Sequence, residues 1–522
     1  MTAAAQWRET LRDCVARHAR ETPEKTAVIG AGPPLTYAQL HARALSLAAG
    51  LRALGLGAGD IVAAQLPNSV DFLVCYLAAG YIGATLQTIH MPYRGAEVET
   101  LLGHSGAKAV ICLGRTKDAS PAEIILAHAA KLPALRHIIA IGADAPGGTT
   151  PFALVAATRA DEAALPIVTA NDRFLLLYTS GTTAAPKGVP VDYARFLANA
   201  GLSARELAID RAAILLSAAP FTHLYGLFTV NLALTSGATI ALMPPFSPPA
   251  LAAALDATRP TALFCAPAHM SACLNEGLLT RERLASLRFL QISGSACPPT
   301  LAHAVQDLLP GGQVAQLWGM SEMQAGAFTR PGDSLDVRTT SVGRASPGTI
   351  LRVADDETAL PAGHEGELQA RGASVFAGYL DNADATAAAF TRDGWFRTGD
   401  LARLDADGNL QITGRLKDVI NRGGIKFNCA DVETIIGAHP AVASCAIVPM
   451  PDPVLGERAC CFLVPKGGAR ITLDDLRAFL TAREVAKLKW PERLEVIAEM
   501  PMTPTRKVKK AELIRLLQPP AV

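Results

Sequence analysis

The 522-residue chain lacks the marks of several protein classes. Its charge is almost balanced, 48 Lys and Arg against 47 Asp and Glu, with no long basic block, so a nucleic-acid partner is not indicated. Its ten cysteines form no CxxC pair and no regular spacing, which predicts buried thiols in a reducing cytoplasm rather than a disulfide framework. The eleven histidines are scattered, and metal-ligand spacing is absent. The opening MTAAAQWRETLRD has no apolar core after a basic start, so no signal peptide is expected. The oiliest run, Phe72 to Leu86, is short for a membrane span and follows Asp71; it predicts a buried helix with its connection to the next strand. There is no internal repeat, no low-complexity linker and no GxSxG of a serine hydrolase.

What is present is apolar: 50% of the residues, enough for sizeable cores in two to four lobes. Tyr37 to Gly55 carries apolar residues at helical spacing and ends on glycine, whereas Asp60–Leu66 and Lys108–Gly114 read as strands. Such alternation predicts an α/β fold with parallel sheets. GLGAGD (Gly55 to Asp60) lacks the last glycine of a dinucleotide fingerprint and follows a helix, so it reads as a helix end and turn. From Val342 short strand-like pieces separated by glycines predict a small β-rich lobe, and beyond Lys417 about a hundred residues suffice for a separate small domain.

The stretch YTSGTTAAPKG, Tyr178 to Gly188, follows the buried-strand pattern FLLL (Phe174 to Leu177). Backbone N–H groups at the end of such a strand, the hydroxyls of Thr179, Ser180, Thr182 and Thr183, the freedom of Gly181 and the charge of Lys187 together make a phosphate cradle. It is not the GxxxxGK[ST] loop, because Pro186 precedes the lysine and Gly188 follows it.

TSGTTAAPKG resembles the phosphate-binding signature of the adenylate-forming superfamily, and further motifs follow in that family's order. WGMSE (Trp318 to Glu322) resembles its adenine and magnesium segment. WFRTGD (Trp395 to Asp400) resembles the ribose segment, GRLKDVINRGG (Gly414 to Gly424) the hinge and the loop beyond it, and PMTPTRKVKK (Pro501 to Lys510) the segment of the catalytic lysine. The chain departs from the usual pattern at Ala184 and Arg506, where glycine is common, at Ser321 for threonine, Trp318 for tyrosine and Cys429 for proline.

The resemblance implies a large AMP-binding domain over residues 1–416, with a β-rich sublobe at about 342–416, and a mobile α+β domain over 417–522 hinged at Lys417. It implies ATP, Mg²⁺ and CoA as reaction partners of a carboxylic acid. A carboxylate must approach a phosphate, and two unit charges roughly 4 Å apart repel by about 1 kcal/mol in water and about 4 at an effective dielectric of 20. Cations and donors must offset that. By the resemblance, residues 179–183 and Lys187 hold phosphates, Glu322 holds Mg²⁺, and Ser321 touches the α-phosphate. Gly294, Ser295 and Ala296 with Leu317 and Trp318 line the adenine slot, Gly319 and Met320 are further ATP-binding residues, Asp400 binds the ribose hydroxyls, and Arg415 contacts the ribose or a phosphate. Lys507 bridges the two reacting anions, and Gly424, Ile425 and Lys426 border the thiol tunnel.

PFTHLYGLF (Pro220 to Phe228) matches the segment where amino-acid activators carry an aspartate, and it contains no acid, which favours a plain carboxylic acid, fatty or aromatic. His223, Leu224, Phe228, Thr229 and Met323 are the expected acid-binding residues. INRGGIKFNCADVE is similar to the dihydroxybenzoate-activating branch, which loads a carrier protein, but Leu224 stands where that branch has asparagine. No attached carrier domain is evident after the lysine segment. The acceptor is therefore expected to be CoA or a separate carrier protein, with no nucleic acid and no membrane span involved.

Overall fold

The structure is a computed structural model describing residues 7–30, 32–179, 187–422, 425–483, 485–503 and 506–517. Two units are distinguished: residues 1–350 with 371–390, and residues 351–370 with 391–522. The expected boundary at Lys417 falls inside the second unit.

The first unit holds two large sheets. One has seven strands in the order Thr150–Pro151, His137–Ile141, Ala109–Leu113, Ile61–Gln65, Thr85–Thr88, Arg173–Tyr178, Gly188–Asp192. Every recorded pairing is parallel except the last, in which Arg173–Tyr178 pairs antiparallel with Gly188–Asp192. The FLLL run is 0–2% exposed apart from its hydrophilic flanks, because an interior strand of a parallel sheet is covered on both faces and needs apolar side chains on both. The other sheet has nine strands: a parallel centre from Gln313–Met320 through Thr26–Ile29, with antiparallel strands at both edges. Leu216, Leu263, Leu290 and Val314 from neighbouring strands form part of one core cluster on it.

Local signals place the helices. Thr36 caps Tyr37–Ala53 in a reciprocal box with Gln39, and Gly55 continues beyond its end at φ 80°. The oily run is the helix Val70–Tyr81, capped by Ser69, and leads to the strand Thr85–Thr88. Among the described residues no helix is long and apolar enough to cross a membrane.

The second unit carries a five-stranded sheet ordered Thr358–Ala359, Thr349–Asp355, Gly366–Gly372, Phe396–Leu404, Leu410–Arg415. It also carries a sheet ordered Ile425–Asn428, Val419–Arg422, Gly456–Pro465, Val442–Asp452, with Arg493–Val496 pairing alongside Gly456–Pro465. Ile420, Val432, Ile447, Cys461 and Leu476 share the core of this last sheet and its helices Cys429–Gly437 and Leu473–Thr481.

Candidate active site

In the first unit Thr179, the Gly294–Ala296 segment and Glu322 follow the C-terminal ends of the strands Arg173–Tyr178, Phe289–Ile292 and Gln313–Met320, the end at which open α/β sheets bind ligands. Thr179 follows the strand Arg173–Tyr178, and its N–H donates to the Lys187 carbonyl at 3.2 Å, closing the base of the loop. Ser180, Gly181, Thr182 and Thr183 lie outside the described residues. The Lys187 ammonium stands 4.9 Å from the centre of the Tyr379 ring. The Tyr379 hydroxyl donates to Glu322 Oε1 at 2.9 Å. Burial, and then the neighbouring Glu322 carboxylate, push the phenol well above its ordinary range, so it stays a donor. Lysine, phenol and carboxylate thus form one group.

Glu322 occupies the turn Ser321–Met323 between the antiparallel strands Gln313–Met320 and Gln324–Phe328. It is 4% exposed, and the Phe376 N–H donates to its carbonyl at 2.7 Å. A carboxylate held there is expensive to bury unless something cationic or protic meets it. Leu317 and Trp318 are buried on the first strand, and Gly319, Met320 and Ser321 are half-buried. A Cβ at Gly326 would stand 2.2 Å from the Trp318 ring, so only glycine lets the indole lie against the neighbouring strand. Met323 is fully buried. The Ser293 N–H, donating to the Cys265 carbonyl, anchors the next loop, on which Gly294 is half-buried while Ser295 and Ala296 are exposed.

His223 is the N-cap of the helix Leu224–Ser236, its Nδ1 accepting from the Tyr225 N–H at 3.2 Å. That bond leaves the ring proton on Nε2. Leu224 and Phe228 are buried along this helix, and Thr229, also buried, donates its hydroxyl to the Tyr225 carbonyl. A Cβ at Gly226 would lie 2.2 Å from the Pro220 carbonyl oxygen, so glycine lets the first helical turn fold onto the turn before it. Asn68 clamps that turn, accepting from the Phe221 N–H at 2.6 Å and donating to the Ala219 carbonyl at 3.0 Å.

The second unit brings together a different set. Asp400 and Arg415 are cross-strand partners, with Arg415 Nε 3.0 Å from Asp400 Oδ1; the carboxylate is buried and the guanidinium half exposed. Lys417 lies in the 3-10 turn Leu416–Asp418, where burial, and then the Arg415 charge, pull its ammonium below the ordinary lysine range. Lys510 Nζ sits 2.8 Å from Glu433 and 3.7 Å from Asp418; burial opposes its charge, but the two carboxylates outweigh burial and hold it protonated. Lys507 is carried by a tight turn in which its N–H meets Thr503 Oγ1 at 3.0 Å and its carbonyl accepts from the Thr503 N–H at 2.7 Å. Arg506 within it is left-handed at φ 61°, the conformation that explains why glycine is the common residue there. Gly424 lies outside the described residues, and the backbones of Ile425 and Lys426 belong to the strand Ile425–Asn428.

Sequence reasoning missed Tyr379, whose only signal is the short GYL at 378–380, and Asn68, in an unremarkable PNS turn. Tyr379→Phe is expected to keep the ring under Lys187 and lose the bond to Glu322. A hydrogen bond to a charged group contributes about 1.5–3 kcal/mol, so acid-dependent pyrophosphate release should fall about tenfold or more with little change in melting temperature. An unchanged rate would remove Tyr379 from the site.

Residues 15–380 match the family described as AMP-binding enzyme, and residues 431–507 match the AMP-binding enzyme C-terminal domain. The medium-chain fatty-acid–CoA ligase of Escherichia coli is 33% identical over 508 residues, 96% of this chain and 89% of that one. The salicyl-AMP ligase / salicyl-S-ArCP synthetase of Mycobacterium tuberculosis is 34% identical over 530 residues, 99% of this chain and 92% of that one. The ATP-bound structure of MatB from Rhodopseudomonas palustris superposes with a TM-score of 0.86 at 28% identity, over 97% of this chain and 99% of that one. With the ordered motifs, the paired parallel sheets and these relatives, the chain belongs to the AMP-binding enzyme family and is an adenylate-forming ligase.

Proposed function

We propose that the enzyme activates a plain carboxylic acid, fatty or aromatic, with ATP and passes the acyl group to CoA. The observation that carries this reading is the gathering of Lys187 and Glu322 around Tyr379, with Thr179 bonded to the Lys187 backbone, in the same unit as a 220–228 turn that offers His223 and Leu224 and no carboxylate. In the first step a carboxylate oxygen bonds to the α-phosphorus, the bond to the bridging oxygen breaks, and pyrophosphate leaves. In the second a thiolate attacks the acyl carbon and AMP leaves.

The cradle beginning at Thr179 and ending at Lys187 holds the β- and γ-phosphates, Trp318 and the Gly294–Ala296 loop bind adenine, and Asp400 accepts from the ribose hydroxyls. Among the described residues no cluster of three His, Cys, Asp or Glu forms a self-sufficient metal site. One buried carboxylate plus phosphate oxygens is the donor set that suits Mg²⁺, so Glu322 fits that ion. When bound it would neutralise phosphate charge. Lys507 bridges the acid and the α-phosphate in the first step, and rotation about Lys417 replaces it with the Gly424–Lys426 segment in the second. The ten free cysteines suit a reducing, cytoplasmic compartment.

The test is acid-dependent pyrophosphate release over a panel of fatty and aromatic acids, then addition of CoA with mass detection of the thioester. Acyl-CoA in stoichiometric yield is the expected result. Acyl-AMP that accumulates and is discharged only by a carrier protein would assign the enzyme to the aryl-acid loading branch instead. Within the panel, Leu224→Asn should shift preference towards hydroxylated aromatic acids, since an unpaired buried amide costs about 1–3 kcal/mol against an apolar acid. A variant that keeps the parent ranking would place the acid elsewhere.

A further inference from the structure

Lys510 is a buried cation that the proposed reaction leaves without a task. Its side chain is 19% exposed, and its Nζ lies 2.8 Å from Glu433 Oε1 and 3.7 Å from Asp418 Oδ2. It opens the helix Lys510–Leu516, the end at which the helix dipole favours an acid, so local helix chemistry does not account for a lysine there. Nor is a buried ion pair much of a stabiliser, because desolvation of both charges offsets most of their attraction; what it supplies is a fixed geometry. The three partners lie on three separate pieces of the second unit. Asp418 ends the 3-10 turn Leu416–Asp418, directly after Lys417. Glu433 belongs to the helix Cys429–Gly437, and its Oε1 also accepts from the Ile447 N–H at 2.6 Å, on the strand Val442–Asp452. Lys510 follows Lys507 by three residues on one stretch of tail. Val508 and Leu513 pack that tail against Ala446, Val448 and Phe462, and the Lys509 N–H donates to the Pro501 carbonyl at 2.8 Å. Those contacts fasten the tail to the sheet, whereas Lys510 fastens it to the turn at Lys417.

We propose that Lys510 is a positioning residue for acid activation: it ties the tail that carries Lys507 to Asp418, the first residue past the hinge, so that a torsion at Lys417 carries Lys507 with it. Without the tie the turn rotates while the tail lags, and the Lys507 ammonium spreads over positions away from the two anions it must bridge. Glu433 is the second anchor. Braced by the Ile447 N–H, it holds the Lys510 ammonium against the small sheet, so the tie is made to a rigid element and not to the turn alone. The two carboxylates outweigh burial and keep Lys510 charged, as the tie requires. Lys510 touches neither the acid nor ATP in this scheme, and its effect runs through Lys507. The Gly424–Lys426 segment follows Asp418 along the chain itself, so the thioester step does not depend on the tie.

This inference rests on the acid-ligase reading, with Lys507 as the activating cation. The experiment makes Lys510→Met, Lys510→Arg and Asp418→Asn in the full chain, each in the parent and in the Lys507→Ala background. It measures kcat and KM for pyrophosphate release, and separately the rate of thioester formation from supplied acyl-AMP. Methionine keeps an apolar stem in place of the lysine, and Glu433 keeps the Ile447 N–H. Lys510→Met is expected to lower kcat for pyrophosphate release about tenfold, with KM for the acid and for ATP within about twofold of the parent and thioester formation within about threefold. Lys510→Arg should recover most of the loss. In the Lys507→Ala background Lys510→Met should cost no more than about twofold further, because a residue that acts through Lys507 has nothing left to position. Asp418→Asn leaves Lys510 paired with Glu433 and removes only the link to the turn; it should lose about threefold in the same step, and it decides the matter if Lys510→Met does not fold. Parental kcat in Lys510→Met or Asp418→Asn, equal losses in both half-reactions, or the same fold-loss with and without the Lys507 ammonium would overturn the proposal and leave the ligase reading standing. A parent enzyme that releases no pyrophosphate with any acid would overturn both.

Discussion

Lys507→Ala is expected to lower acid-dependent pyrophosphate release by about 100- to 1,000-fold, roughly 3–4 kcal/mol of transition-state stabilisation. In the transition state the carboxylate oxygen and the α-phosphate oxygens bring like charges together, and a single well-placed ammonium offsets that repulsion only while they react. The turn around Thr503 and Arg506 fixes the backbone of Lys507, so truncation of the side chain should leave the turn folded. Thioester formation from supplied acyl-AMP has no such charge encounter and should stay within about threefold of the parent rate. Lys417→Pro should have the opposite bias, slowing the second step more than the first, because proline fixes φ in the 3-10 turn Leu416–Asp418 about which the rotation is proposed. Equal losses in both half-reactions for Lys507→Ala would refute a two-conformation mechanism and favour one rigid active site.

Glu322→Gln is the second large effect, expected at about 100-fold on pyrophosphate release. Glutamine is nearly isosteric and keeps an acceptor for the Tyr379 hydroxyl, and the backbone bond from Phe376 does not involve the side chain at all. What is lost is the negative charge in a nearly dry turn, which is the property a hard divalent cation requires. The variant should therefore melt close to the parent and need a higher Mg²⁺ concentration for half-maximal rate at fixed ATP. If Glu322 only braced Tyr379, Glu322→Gln would lose no more than Tyr379→Phe and its Mg²⁺ dependence would be unchanged. The comparison of these two variants separates charge from scaffolding.

The linear sequence determined the strand–helix alternation, the helix ends at Thr36, Ser69 and Gly55, and the order of the motif segments. Each of these depends on residues within one turn or one strand of each other. A capping hydroxyl acts on an N–H three residues away, and a buried strand declares itself by an unbroken apolar run such as Phe174–Leu177. The partners of those motifs were decided only by tertiary structure. Tyr379 reaches Glu322 across 57 residues, and His90 reaches Thr222 across 132. Neither carries a local pattern, since a lone tyrosine after glycine or a histidine past a strand end is compatible with many environments. The antiparallel turn that buries Glu322 could not be read from WGMSE, because the pairing of Gln313–Met320 with Gln324–Phe328 depends on the Trp318 ring finding Gly326 on the neighbouring strand. Local chemistry specifies which atoms can form a site, and the packing of distant strands specifies which of them meet.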